Sequence, residues 1–463
     1  MRKNWVVFFL FFCFLVLSPV ISLAVEHEFG GSLRFRYELW DNIVSLGYQE
    51  EIKNSNKDRN FFRLRAQVWD KITFNNSTSF YVRLATEPKY HMGPNYLILK
   101  DAQEKRHFDQ DEIFIDNLYL DLKKPLGLPV NLRIGRQDFL GKDMYGEGFL
   151  ILEGTPNDGS RSFYFNALKA TLLFNPNHTV DIVLVSNPQR DVYLPVIHPS
   201  YDDGKDISYI QHKKRLTGSN ERGFWVYGRH KLSEKLNVEP YYIYKKEEKS
   251  QVISHASYIH TIGMRAVYKL GAYTLRGEIA KQWGEYSNEV DRSGLGGYAF
   301  LTRKFEKCPV KPEVEIGYVY LSGDDPKTQK NEGFNPLFSR APIWNELIFY
   351  TYIYETSSKG GPIPGYWTNL KAPMITLKFY PYKNTEFKIS YQKLMADEKA
   401  TSSPSGMFGN GKNRGDLLAF LLQHRFNQKL SGFLQYEILN PGDFYFDKSK
   451  SANFFRAQLF YQF

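Results

Sequence analysis

Apolar and polar positions alternate with a period of two along most of the chain. The clearest case is residues 453–463: Phe455, Ala457, Leu459, Tyr461 and Phe463 fall on one face of an extended strand, and Phe454, Arg456, Gln458, Phe460 and Gln462 on the other. Such a period means a β-strand between two different environments, one apolar and one largely polar. Read in this way, the sequence predicts eighteen strands, near 30–40, 60–73, 78–86, 113–122, 130–137, 163–174, 179–186, 223–231, 237–245, 258–269, 273–284, 295–305, 313–322, 370–380, 386–394, 415–426, 430–439 and 453–463.

The connections decide the architecture. Every second one is short, at 75–77, 123–129, 175–178, 233–235, 270–272, 306–312, 381–385 and 427–429. Those between them are longer, at 41–59, 87–112, 138–162, 187–222, 246–257, 285–294, 323–369, 395–414 and 440–452. A membrane barrel with short periplasmic turns and long outer loops requires this sorting, an even strand count and both ends of the sheet on one side. A soluble sandwich has no reason to sort its loops. The expected fold is therefore an all-β transmembrane antiparallel barrel of 18 strands, with 187–222 and 323–369 as the largest outer loops and either able to fold inward.

The start of the sequence agrees with export. Arg2 and Lys3, the apolar run from Val6 to Leu17 and the small residues Ser22 and Ala24 form a signal peptide at 1–24, too short for a membrane anchor. Residues 25–463 are then expected to be one barrel domain with no plug ahead of it, carrying a single cysteine, Cys308, and so no internal disulfide. Beyond residue 24 no apolar stretch is long enough for a spanning helix. The 36 Phe, 32 Tyr and 7 Trp suit the two aromatic girdles of a barrel.

In the strands the apolar parity marks the lipid side, so the other parity faces the lumen. Leu33, Phe35, Tyr37 and Leu39 point outward, while Arg34, Arg36 and Glu38 point inward. The same reading turns Arg63, Arg65, Lys71, Arg83, Arg133, Arg136, Lys169, Arg229, Lys231, Lys245, Arg265, Lys269, Arg276, Lys378, Lys388 and Arg456 inward. Only Glu38, Asp121, Asp181, Glu239, Glu278, Glu313, Glu315 and Glu437 oppose them, eighteen bases to eight acids. A base on the lipid face at mid-bilayer would cost roughly 2–4 kcal/mol, which constrains the parity. With a net charge of +10 for the chain, such a lumen would concentrate anions. The bland alternative is charge pairing within the wall.

No catalytic residue, metal site or cofactor is expected. The ten histidines show no ligand spacing, and neither a nucleophile elbow nor a phosphate loop is present. A strand-end active site would have to pair Asp202, Asp203 or Asp206 with His198 or His212, and Asp324 and Asp325 read as a solvated loop tip. An exported barrel has no occasion to meet nucleic acid.

Several motifs, in order, resemble the alginate-export family of outer-membrane β-barrels: GSLRFRYELWDN at 31–42, DNLYLD at 116–121, NLRIGRQD at 131–138, LSGDDP at 321–326, FNPLF at 334–338 and NPGD at 440–443. The resemblance implies a monomeric eighteen-stranded barrel whose arginine-lined, electropositive channel releases an anionic polysaccharide, with a periplasmic secretion scaffold as partner. Arg34, Arg36, Arg133, Arg136 and Arg161 stand in matching motifs, and the parity reading adds Arg65, Arg265 and Arg276 as substrate-binding candidates. One departure is that the family commonly has an arginine after a Tyr-Gly-acidic-Gly pattern, where this chain has YGEGF at 145–149. The aromatic end, Phe463, resembles the terminal strand that outer-membrane assembly machinery reads. The expected function is thus an outer-membrane channel exporting alginate or a similar polyuronate. The alternatives are a porin for small anions or anionic sugars and, from another class, a receptor or adhesion barrel.

Overall fold

The computed structural model describes residues 25–43, 58–100, 103–109, 112–156, 163–197, 215–251, 253–356, 365–400, 408–447 and 449–463. The expected leader at 1–24, together with Arg161, His198, Asp202, Asp203, Asp206 and His212, lies outside them. The strands are β1 (Glu26–Asp41), β2 (Arg59–Asn75), β3 (Thr78–Thr86), β4 (Lys89–Gly93), β5 (Ile113–Lys123), β6 (Val130–Asp138), β7 (Tyr164–Asn175), β8 (His178–Asn187), β9 (Val196–Ile197), β10 (Glu221–Lys231) and β11 (Leu236–Glu247). They continue with β12 (Ser257–Leu270), β13 (Tyr273–Ser287), β14 (Val290–Arg292), β15 (Leu295–Lys304), β16 (Glu313–Leu321), β17 (Leu370–Tyr382), β18 (Thr385–Met395), β19 (Asn413–Arg425), β20 (Leu430–Pro441) and β21 (Ala452–Gln462). One helix, α1 (Leu347–Glu355), lies between β16 and β17.

Eighteen of these strands form a closed antiparallel barrel. Each pairs with its neighbour in chain order, and β21 returns to β1 in the register Leu33 opposite Tyr461 and Trp40 opposite Phe454. The three others are short additions. β4 continues β3 past a break at Glu87 and Pro88 and pairs with β2, β9 pairs with the start of β5, and β14 pairs with the end of β13 in line with β15. Every strand expected from the alternation is present, its ends moved by at most four residues.

Closure explains much of the local sequence. Hydrocarbon offers no partner for an open strand edge, so the last strand must satisfy the first. Gly31 and Phe463 exchange two backbone hydrogen bonds, each 3.0 Å. A Cβ on Gly31 would lie 2.3 Å from the Phe463 ring, so the glycine makes room for the terminal aromatic. On the outer face Phe35, Leu39, Ile262, Ile279, Ile316, Ile375 and Leu434 are exposed to lipid, as the parity requires.

The buried core is inside the barrel. The segments 139–156 and 322–356, with 365–369, enter the lumen from the long-loop end, and the first two pair with each other, Phe338 donating to the Leu150 carbonyl at 3.0 Å and accepting from the Glu153 amide at 2.7 Å. Phe149 stacks on Phe334 at 5.3 Å, and Phe165, Trp225 and Phe338 pack on one another in the same core. The inward fold of 323–369 was open to expectation; that of 138–162 was not foreseen. Of 187–222 the structure describes only the two ends.

Because the Gly31–Phe463 contact closes the ring, deleting Phe463 or replacing Gly31 by Val should lower the fraction of heat-modifiable, folded barrel. The loss involves two hydrogen bonds worth about 0.5–1.5 kcal/mol each. Semi-native electrophoresis of outer-membrane fractions measures it, and unchanged folding of both variants would refute the closure role.

Candidate functional site: the charged lumen

Arginines reach the lumen from the inward parity of the strands, and carboxylates meet them from strand ends, bulges and the two inward segments. On β1 to β3, Arg34 lies 2.6 Å from Glu87, Arg65 lies 3.1 Å from it, and Arg63 is also bound to it. The Glu87 side chain is completely buried. It is directed inward at the Pro88 break between β3 and β4, which needs no ladder hydrogen bond from the proline. Glu38, equally buried, accepts from Arg36 at 3.4 Å and lies 3.3 Å from Arg456. Arg36 in turn donates to the Gln458 side chain at 2.6 and 2.9 Å. A bulge in β5, where Arg83 opposes Asn117 and Leu84 opposes Ile115, leaves Asp116 unpaired in the ladder and buries it beside Asn117. Asp116 and Asp138 then share Arg83, both at 2.6 Å.

Around β6 to β10 the same pattern continues. Arg133 holds Asp121 in a two-pronged pair at 2.7 and 3.0 Å, and Asp143 of the inward segment lies 3.3 Å from both Arg133 and Lys169. Burial raises the Asp143 carboxyl, but Lys169 and Arg133 outweigh this and hold it below the usual range. Arg229 and Lys169 converge on the buried Asp181, which Tyr145 also reaches at 3.0 Å. Arg136 differs from the other candidates: its side chain is 1% exposed and sealed against Asp191 at 2.9 Å, over the Tyr164 ring. It anchors the segment after β8 and does not reach the open lumen.

The tip of the first inward segment carries Glu147. Gly146 and Gly148 flank it with φ of +56° and +78°, conformations open to glycine and strained for other residues. The turn places the Glu147 carboxylate 3.1 Å from Arg265 and 2.6 Å from Arg276. Glu239 holds Arg265 at 3.1 Å and Glu315 holds Arg276 at 3.0 Å from the wall side. Of the acids expected to balance arginine, Glu278 instead accepts from Tyr241 and Tyr298, at 2.9 and 3.0 Å.

The second inward segment is anchored at three places. Arg340 lies 3.3 Å from Glu221 and 3.1 Å from Glu247, in a buried square completed by Lys245. Glu346 is bound to Arg456, and the Glu437 carboxylate accepts from the backbone amides of Glu346 and Leu347 at 3.0 and 2.9 Å. A carboxylate is stabilised there by the amides of the first helical turn. At the other end of α1, Glu355 pairs with the buried Arg414 at 2.8 Å.

Two cavities remain toward the short-turn end. One, of about 360 Å³, is lined by Lys71, Tyr119, Asp121, Arg133, Asp143 and Lys169. The other, of about 500 Å³, is bounded by Glu147, Arg276 and Glu346 and by the wall from β15 to β21. Of the eight substrate-binding candidates, Arg34, Arg36 and Arg65 share one cluster and Arg265 and Arg276 share Glu147. Arg133 lines the smaller cavity, Arg136 is sealed and Arg161 lies outside the described residues. The carboxylates Glu87, Asp116, Asp138, Asp143, Glu147, Asp191, Glu346 and Glu355 were not foreseen as partners of the inward-facing arginines. Glu147 had a signal, the glycine on each side of it. The others are set by contacts distant in sequence.

Glu87 compensates three like charges, so Glu87→Ala should destabilise the barrel by about 3–5 kcal/mol, the cost of breaking a buried pair. Thermal unfolding in detergent checks this, and a shift no larger than that of Glu104→Ala, at an exposed site, would count against it.

A family model described as alginate export matches residues 212–457. The motifs at 321–326, 334–338 and 440–443 lie inside that segment, and those at 31–42, 116–121 and 131–138 precede it. Among curated proteins none matches the chain. Among solved structures, OccK9 (OpdG) of Pseudomonas aeruginosa aligns at 12% identity over 94% of this chain and 98% of that one, with a TM-score of 0.56. A BenF-like porin of Pseudomonas fluorescens Pf-5 aligns at 9% identity over 95% and 98%, with a TM-score of 0.55. OpdQ of Pseudomonas aeruginosa aligns at 13% over 94% and 97%, with a TM-score of 0.54. At these identities the likeness is one of fold. With a closed barrel and a charged lumen, the molecule is a channel of the outer membrane. The family match spans more than half of the 463 residues, and the chain belongs to the alginate export family.

Proposed function

We propose that this channel exports an acidic polysaccharide, alginate or a similar polyuronate, by exchange of carboxylates along the lumen arginines. The observation that carries the reading is Glu147, a carboxylate presented from a loop tip to two arginines that the wall also holds. A uronate unit offers the same group, so the arginine forks are already shaped for it. The exchange leaves each contact individually weak, as a conduit needs if its cargo is to leave as well as enter.

The experiment is a planar bilayer recording with oligouronate titration. Wild-type current should be blocked by the oligomer. Glu147→Gln should lower the half-blocking concentration by about 2- to 5-fold, the worth of a partly exposed ion pair. Arg265→Ser with Arg276→Ser should raise it and move the reversal potential toward cations. Both effects should shrink between 0.1 M and 1 M salt, where the Debye length falls from about 10 Å to about 3 Å. A wild-type channel indifferent to oligouronate at low salt would sink the reading.

A second reading is a diffusion or uptake porin for small anions or anionic sugars. The separate cavities of about 360 and 500 Å³ favour it, since each is of a size for a monomeric solute. Free passage of glucuronate without any block by the oligomer would decide for it.

A further inference from the structure

The larger cavity has a feature that the arginine lattice does not explain. Lys378 on β17 and Lys388 on β18 are directly opposed in the ladder, and both line this cavity. Like charges directly opposite across two strands are unfavourable, and an acid between them would remove the conflict. Glu313 opposes Lys378 on its other side, in β16, but its carboxylate lies with Lys304. Among the described residues neither lysine has a hydrogen bond or an ion pair, in contrast to the lumen arginines described above.

The nearby acids are committed elsewhere. Glu315 is held by Arg276 and by the Thr302 hydroxyl at 2.7 Å, and Glu437 by the amides at the start of α1 and by Gln435 at 2.8 Å. Glu147 and Glu346 are taken by arginines, and Glu313 by Lys304 at 3.0 Å. Glu386, two residues from Lys388 on the same face, lies toward Tyr380. The remaining wall here is neutral: Met374, Thr376, Ser390, Gln392, Leu421 and Gln423.

Their height in the barrel is also informative. Lys378 lies four residues before the end of β17 at Tyr382, and Lys388 three after the start of β18 at Thr385. At about 3.3 Å per residue both stand roughly 10–13 Å from the short turn, near the periplasmic mouth. Arg276, three residues after the start of β13 at Tyr273, stands at the same height by this measure, and its partner Glu147 bounds the same cavity.

We infer that Lys378 and Lys388 form an anion-binding subsite at the periplasmic mouth, which takes a carboxylate of the incoming chain beside Arg276. This rests on the polyuronate reading above. Lysine suits the task, because a rotatable ammonium accepts a carboxylate in any orientation, whereas an arginine fork selects one.

The test uses the full-length channel inserted in one orientation in a planar bilayer, with alginate oligosaccharides added to one chamber at a time. Lys378→Gln with Lys388→Gln should raise the half-blocking concentration from the periplasmic chamber about 5-fold or more and leave block from the other chamber within about 2-fold. Lys388→Glu sets a carboxylate opposite Lys378 on the β18 side, so it should abolish periplasmic block while the heat-modifiable fraction holds. Equal block of the wild type and the double variant, or a loss of folded protein in the double variant, overturns the subsite. A wild-type channel that no oligomer blocks overturns the polyuronate reading instead. The subsite is then judged by the reversal potential in a potassium chloride gradient: a shift toward cations in the double variant supports it, and no shift overturns it.

Discussion

The absence of water in the hydrocarbon core sets the terms for this molecule. Every backbone amide and carbonyl at membrane depth needs a partner in the chain, and only a closed ladder provides one for the first and last strands. Closure between β1 and β21 thereby fixes the register of the ring, and the register fixes which side chains face inward. Most charged residues of the wall are thereby turned to the inward parity, into a volume that they must share. The chemistry of the lumen follows from that confinement.

Charges gathered in a small space must be compensated or solvated. The wall alone carries an excess of bases, and the inward segments bring Asp143, Glu147, Glu346 and Glu355 to meet them. Each such pair recovers part of the cost of taking both groups from water, provided that the remaining hydrogen-bonding positions are filled. Arg133 shows the well-filled case, with its fork on Asp121 and its face over the Tyr119 ring at 4.1 Å. The loops therefore act as internal counterions, and the sign of the lumen depends on where they lie.

The wall was legible because its code is local. In β12, Ile262 and Met264 face lipid while Thr261 and Arg265 face inward, and two-residue alternation is enough to say so. Turn lengths were legible for the same reason. The contents of the lumen were not. Asp116 is buried by a bulge whose register shift depends on β3, and Glu87 by a proline break that reads like any strand end. Helix α1 spans nine residues rich in aromatics, and its composition does not separate it from a strand. Arg136 shows the limit of parity: an inward position gives no information on whether a distant aspartate has closed over it. Glu147 stood within a motif that drew attention only for a missing arginine.

The three anchors of segment 322–369 fall on β10 and β11, on β20 and β21, and on β19. The first lies across the ring from the other two, which are on adjacent strands, so the segment works as a strut across the bore. A strut couples two properties that are separate in an open tube, the roundness of the cylinder and the width of its passage. Excising the segment would strand Glu221, Glu247, Glu437, Arg456 and Arg414 without their present neighbours. A wider bore in a descendant of this protein therefore requires wall residues and loop to change together.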